Sequence, residues 1–241
     1  MPQSPTALGG DKGSVGVVVV AAGQGQRMEG RDKIFSDLGG LPLVLHCLRV
    51  FTSQSYVTRV VLVLPGHRLE DGQTVLQNLR RPQIVTLCQG GPLRQDSVRL
   101  GLEALPPCDW VVVHDGARPL IDGQLLDRGL EAARETGAAI AAVPANDTIK
   151  VVSEQGLVRH TPQRDGLWTV QTPQVFRYHL LKEAHETCQG TFTDDAAMAE
   201  SLGHPVKVFM GSYRNIKVTT PEDLLMAQAL FSSTPVGATP P

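Results

Sequence analysis

Residues 15–20 read VGVVVV, five valines around one glycine, and this run constrains the fold more than any other stretch of the chain. Apolar β-branched residues without alternation describe a strand buried on both faces, and such a strand needs helices on both sides of its sheet. The residues that follow keep that rhythm. Helical spacing over 41–51, with Pro42 in the first turn, precedes an apolar strand at 57–64. A helix over 69–79 and a short strand at 83–87 come next, then a helix over 95–105 and a strong strand at 110–114. A helix over 124–135 and a strand at 138–143 complete this half. The alternation predicts an α/β fold: a doubly wound, mostly parallel sheet with helices on both faces.

The rhythm breaks after Val143. Two β-prone stretches, 148–152 and 157–160, flank Glu154-Gln155-Gly156, which is a hairpin signal. A hairpin inserted into such a sheet is expected to project, so an arm is predicted at about 145–171, suited to packing on a partner subunit. The pattern then resumes with helices at 178–188 and 195–202, strands at 205–210 and 216–218, and a last helix over 221–231. Residues 1–13 and 232–241, rich in Gly, Pro, Ser and Thr, read as disordered ends around one domain at 14–231.

Composition narrows the partners. The 241 residues suit one α/β domain with an added sub-element. Lys and Arg number 22 against 24 Asp and Glu, a net charge of −2, which argues against a nucleic-acid or acidic-membrane footprint. Cys47, Cys88, Cys108 and Cys188 show no C-x-x-C spacing, so zinc and thioredoxin readings are weak and a reducing, cytoplasmic setting is expected. The apolar run at 15–22 is too short to span a bilayer.

Four stretches carry chemistry. Ala21-Ala22-Gly23-Gln24-Gly25-Gln26-Arg27-Met28 follows the first strand, where small residues let backbone N–H groups approach phosphates. Met28 stands where a dinucleotide fingerprint needs its third glycine, and the Walker pattern is absent. What remains is a glycine loop with two cations, Arg27 and Lys33, suited to a triphosphate bound with Mg²⁺. A plain strand-to-helix turn with solvated charges reads equally well.

His114-Asp115-Gly116-Ala117-Arg118-Pro119 ends a buried strand, the place where ligands bind in open α/β sheets. Asp115 there can reach a metal or a ligand hydroxyl, or can cap a turn. His114 reads as a hydrogen-bonded core histidine. In Asn215-Ile216-Lys217-Val218-Thr219-Thr220-Pro221-Glu222-Asp223-Leu224 a helix start explains Thr220 to Asp223 but leaves Lys217 as an isolated cation. Gly90-Gly91-Pro92-Leu93-Arg94-Gln95-Asp96-Ser97 is a glycine turn into a helix, serving either base recognition or simple capping.

Together these stretches, with Asp147–Lys150 (DTIK), QTPQVF, Thr193–Ala196 (TDDA) and their order along roughly 15–230, resemble the 2-C-methyl-D-erythritol 4-phosphate cytidylyltransferase family. The resemblance implies a nucleotidyltransferase domain and a homodimer through the hairpin arm. It also implies transfer of CMP from CTP to 2-C-methyl-D-erythritol 4-phosphate in non-mevalonate isoprenoid biosynthesis, with Mg²⁺ and release of diphosphate. It assigns Arg27 and Lys33 to the triphosphate, and Arg164 and Lys217 to the attacking phosphate. Ala21, Ala22, Gly23, Gly91, Ser97 and Asp115 fall around the nucleotide, with Asp115 also as the metal ligand. Arg118, Thr148, Thr172 and Thr193 fall around the second substrate. Three positions depart from the family's habit: Asp32 replaces a proline, Pro92 a polar residue and Arg214 an acidic one.

The implied reaction agrees with the charges. A phosphate monoester is largely dianionic at pH 7, since its second pKa is about 6, and needs no strong base. The obstacle is bringing two polyanions together, which preorganised cations and a metal address. The competing readings are a cytidylyltransferase for ribitol 5-phosphate or another polyol phosphate, a non-catalytic nucleotide-sensing subunit, and an NAD-dependent oxidoreductase.

Overall fold

A computed structural model describes residues 12–23 and 33–233. Its centre is a seven-stranded sheet. The strands are β1 (Val15–Val20), β4 (Val57–Leu64), β5 (Val85–Gln89), β6 (Trp110–Asp115), β7 (Ala138–Pro144), β10 (Trp168–Arg177) and β11 (Lys207–Met210). They lie in the order β11-β7-β10-β6-β1-β4-β5. All run parallel except β10, which is antiparallel to both β6 and β7. The doubly wound, mostly parallel sheet is the architecture expected from the sequence.

The helices are α1 (Leu43–Ser53), α2 (Leu69–Leu76), α3 (Arg94–Ala104), α4 (Gly123–Thr136), α5 (Tyr178–Thr187), α6 (Asp195–Ser201) and α7 (Pro221–Ser232). They divide between the faces as the valine run requires. Val15, Val17 and Val19 pack into a core with α1, α2 and α4, while Val18 packs into a second core with α3, α5 and α6. Each fully buried valine contributes on the order of 2 kcal/mol by leaving water. α3 lies so close to β1 that a Cβ at Gly101 would sit 2.5 Å from Val18 Cγ1, so only glycine permits the contact.

A third, smaller cluster stands apart. A short ribbon, β2 (Asp37–Leu38) and β3 (Leu41–Pro42), brings Leu38 against Leu43, Val218 and Ala227 of α7, with Phe231 packed alongside. α7 begins with a capping box, in which Thr220 accepts from Asp223 N–H and Asp223 accepts from Thr220 N–H.

Two expectations need correction. The predicted strand at 216–218 joins no ladder; its segment is fastened by Val218 N–H donating to the Ala117 carbonyl at 2.8 Å. Conversely, β10 was not foreseen. Pro173 interrupts its pattern, and the structure tolerates that proline because the pairing with β7 shifts register between Val170 and Gln174.

The hairpin forms, but shorter than expected. β8 (Val151–Val152) and β9 (Val158–His160) pair antiparallel around a turn in which Gly156 adopts φ 79°. No residue from 145 to 170 is buried. Of the predicted disordered ends, 1–11 and 234–241 lie outside the described residues. Lys12 is tied to the body through Asp127 at 2.6 Å, and Ser232 belongs to α7. Among the described residues no helix is long and apolar enough to cross a membrane.

Candidate active site

The carboxyl ends of β1, β5 and β6 and the segment before α7 surround a cleft of about 480 Å³. Its wall contains Ala21, Ala22, Gly23, Lys33, Gly91, Ser97, Asp115 and Lys217, eight of the residues selected from the sequence. Their convergence follows from topology: parallel strands deliver every following loop to one edge of the sheet.

The loop after β1 and the loop after β5 fit against each other without spare room. A Cβ on Gly90 would collide with the Cβ of Ala22 and lie 2.8 Å from Ser97 Oγ. Ser97, the fourth residue of α3, accepts from Gly91 N–H at 3.2 Å, so its hydroxyl shapes the glycine turn from inside. Around Gly23, by contrast, a Cβ would meet nothing within 4 Å among the described residues. Lys33 opens a 3-10 turn, Lys33–Phe35, and also lines the cleft. Arg27 and Asp32 lie outside the described residues.

Asp115 is the electrostatic centre. It is 7% exposed, with Oδ2 2.7 Å from Lys217 Nζ and Oδ1 3.2 Å from Arg94 Nε. Burial pushes its carboxyl pKa up, but Arg94 and Lys217 outweigh burial and hold it well below the usual carboxylate range. Arg94 also reaches Asp195 through Nη1 at 2.7 Å. Burial alone would weaken the charge on Arg94, and the two carboxylates reverse that and raise its pKa.

A neutral relay fixes the backbone behind Asp115. Asp115 N–H donates to Thr172 Oγ1 at 3.0 Å, and Thr172 lies 3.1 Å from His114 Nδ1. His114 Nε2 in turn lies 3.0 Å from the Arg118 carbonyl. Because that carbonyl can only accept, Nε2 carries the proton and Nδ1 accepts from the threonine hydroxyl. Burial keeps this imidazole neutral, with its pKa pushed down to about 4. His114 is therefore the core histidine the sequence suggested.

Other selected residues have different surroundings. The hydroxyl of Thr172 is buried in that relay and does not line the cleft. Arg118 turns its Nη1 to the Asn215 carbonyl at 2.7 Å, fastening the Lys217 segment; it does not line the cleft. Its Nε and Asn215 Oδ1 are buried without a hydrogen-bond partner among the described residues. Thr193 is exposed just before α6. Thr148 and Arg164 are exposed on the arm, where Arg164 Nη1 donates to the Asn146 carbonyl at 2.9 Å. Arg214 donates to the Leu230 carbonyl at 2.6 Å, at the end of α7.

Sequence reasoning passed over Arg94 and Asp195. The signals were present. A cation in the first turn of a helix opposes the helix dipole and needs acidic partners. Asp194 and Asp195 are adjacent acids, of which only Asp194 caps α6, accepting from Ala197 N–H at 3.0 Å.

Asp115 is the one carboxylate among the described residues lining the cleft, and those residues contain no group of three or more metal-ligating side chains. Mg²⁺ is commonly held by one or two carboxylates plus substrate phosphates. The cleft thus fits such an ion only with phosphates supplying most of its ligands.

The family model described as 2-C-methyl-D-erythritol 4-phosphate cytidylyltransferase matches residues 15–233. A protein of that name from Dehalococcoides mccartyi is 49% identical over 217 residues, covering 90% of this chain and 96% of the relative. One from Alkaliphilus oremlandii is 43% identical, covering 90% and 94%. Among solved structures, 4-diphosphocytidyl-2C-methyl-D-erythritol synthase from Anaerococcus prevotii superposes with a TM-score of 0.81 at 28% identity, covering 92% of this chain and 100% of the other. The enzyme from Thermus thermophilus gives 0.74 at 32% identity, covering 91% and 99%.

Proposed function

The chain belongs to the 2-C-methyl-D-erythritol 4-phosphate cytidylyltransferase family, and from that premise we propose that its cleft holds CTP while methylerythritol phosphate attacks the α-phosphate and releases diphosphate. The observation that carries this reading is the meeting of Lys33, Lys217, Asp115 and Arg94 on one cleft at the strand ends. The loops at Ala21–Gly23 and Gly90–Gly91 receive the nucleoside through backbone groups. Lys33, with Arg27, takes the triphosphate and the charge that develops on the departing diphosphate. Lys217 faces the incoming phosphate dianion. Its tie to Asp115 keeps it extended along the wall before substrate arrives, which lowers the ordering cost on binding.

Mg²⁺, held by Asp115 and the phosphates, would neutralise triphosphate charge. The acceptor is completed by the arm. Thr148 and Arg164 are exposed, and the arm also exposes Ile149 (43%), Val151 (37%) and Leu157 (67%). A two-fold partner would cover those apolar residues and receive Arg164 in its own cleft. The four free cysteines suit a reducing cytoplasm.

The test is a diphosphate-release assay crossing CTP, UTP, ATP and GTP with methylerythritol phosphate and ribitol 5-phosphate, with and without EDTA. The expected result is turnover with CTP and methylerythritol phosphate that EDTA abolishes. Equal or faster turnover with ribitol 5-phosphate would move the acceptor assignment to that polyol.

A further inference from the structure

Behind the cleft lies a string of buried groups to which the transfer just described gives no task. His185, on α5, has 4% of its side chain exposed, and its Nε2 lies 3.0 Å from Asp195 Oδ1. Asp195 is wholly buried, and its other oxygen takes Arg94 Nη1 at 2.7 Å. Arg94 continues through Nε to Asp115 Oδ1, and Asp115 Oδ2 holds Lys217. Five side chains from four secondary elements and one loop thus run unbroken from the interior to the cleft wall.

Each link has a definite polarity. Burial pushes the Asp195 pKa up, yet Arg94 and His185 outweigh burial and hold it below its ordinary value. Asp195 is therefore an ionised acceptor, and His185 Nε2 carries the proton it donates. α6 does not need Asp195 for its start, because Asp194 already caps it. A buried carboxylate is costly unless paired. Its pairing here fixes one edge of the Arg94 guanidinium.

We infer that His185 and Asp195 are positioning residues for the transfer: they clamp Arg94 from behind, so that it grips one oxygen of Asp115 and leaves the other to hold Lys217 on the cleft wall. The inference rests on the reading of the cleft as the CTP site. A planar guanidinium held at two of its N–H groups has one orientation, whereas one held only by Asp115 can turn into the cleft. Arg94 lines that cleft with 27% of its side chain exposed, so the space for such a turn exists. With the clamp loosened, Arg94 competes with the phosphates for its own position, and the Asp115 carboxylate rotates away from Lys217. The attacking phosphate then loses a preoriented cation while CTP still binds.

Two substitutions at His185 separate positioning from mere packing. His185→Phe keeps a ring of similar bulk and removes the donor, while His185→Gln places an amide N–H near the position of Nε2. Steady-state kinetics with CTP varied at saturating acceptor should show kcat for His185→Phe reduced about 10-fold, the lower end for removing an outer hydrogen-bond partner of an active-site group. KM for CTP should change less than about threefold, and His185→Gln should recover to within about threefold of the wild-type kcat. A packing defect would slow both variants alike. Retention of kcat within twofold by His185→Phe, or equal slowing of His185→Gln, overturns the inference. Should His185→Phe fail to fold, His185→Leu is judged by the same thresholds. Lys217→Ala is measured alongside. If it keeps wild-type turnover, the cleft reading itself falls and this inference with it. If it loses activity while His185→Phe does not slow, only the positioning role is lost.

Discussion

At the strand ends, Asp115, Arg94 and Lys217 all find counter-charges within the chain, whereas between residues 145 and 170 no side chain is buried and the ladder is only two to three residues long. Both regions carry residues assigned to the same reaction. In the cleft, one chain supplies the strands, the cores and the counter-ions that hold each functional group. In the arm, Arg164 has a backbone carbonyl for support and Leu157 and Val158 face water, at 67% and 58% exposure. A hairpin this small is marginal by itself. The contrast teaches that the fold organises the cleft side chains through counter-charges within the chain, whereas the arm residues gain no such support from the described residues of their own chain.

The sharpest way to break this comparison is to mix defects. Lys33→Ala and Arg164→Ala should each lose activity by about 10² or more, the scale for removing one preorganised electrostatic contact. If the arm serves the partner, heterodimers of the two variants contain one doubly damaged site and one intact site. Doubly tagged heterodimers purified after co-expression should then recover about half of the wild-type activity. Continued inactivity would show that Arg164 serves its own subunit.

A second measurement tests how far the cleft stands on its own relay. His114 is neutral in the folded chain, with its pKa lowered to about 4. Its ordinary value is about 6.5, so the unfolded chain takes up the proton first. The contribution is therefore full above about pH 6.5 and is lost progressively as pH falls toward 4. At about 1.4 kcal/mol per pKa unit the total is a few kcal/mol. Thermal melts at pH 7 and pH 5 should show a clear fall in Tm for the wild type and a smaller fall for His114→Gln. Equal falls would assign the acid sensitivity to other groups.

The smallest effect is expected at Arg214, which lies neither on the cleft wall nor on the arm. Its guanidinium meets the Leu230 carbonyl and the Ser233 hydroxyl at the end of α7, away from the cleft wall. Arg214→Ala should keep turnover within about twofold and cost under about 1 kcal/mol of stability, as exposed contacts do. A collapse in kcat would reveal a catalytic task for this arginine.

The same contrast explains what could be read from the sequence. β1, β4, β6 and β7 were legible because each carries an unbroken apolar run that is buried on both faces. The cleft wall was legible because loops after parallel strands converge by topology. β10 was hidden by Pro173 and by its reversed direction, which depends on pairings distant in sequence. The surroundings of the Thr172 and Arg118 side chains were not legible, because sequence order shows proximity to the site but not which way a side chain turns. Arg94 and Asp195 were missed because their partners lie 101 positions apart.

The small cluster beneath α7 has a further consequence. Lys33 sits five residues before Leu38, and Lys217 immediately before Val218; Leu38 and Val218 both rest against Ala227. Lys33 and Lys217 both line the cleft, so the placement of the two segments that carry them rests in part on this apolar cluster. Ala227 is fully buried, so its single methyl acts as the shim of that cluster. A bulkier side chain there would crowd this cluster, which includes Leu38 and Val218, and so disturb the segments that lead to the two lysines.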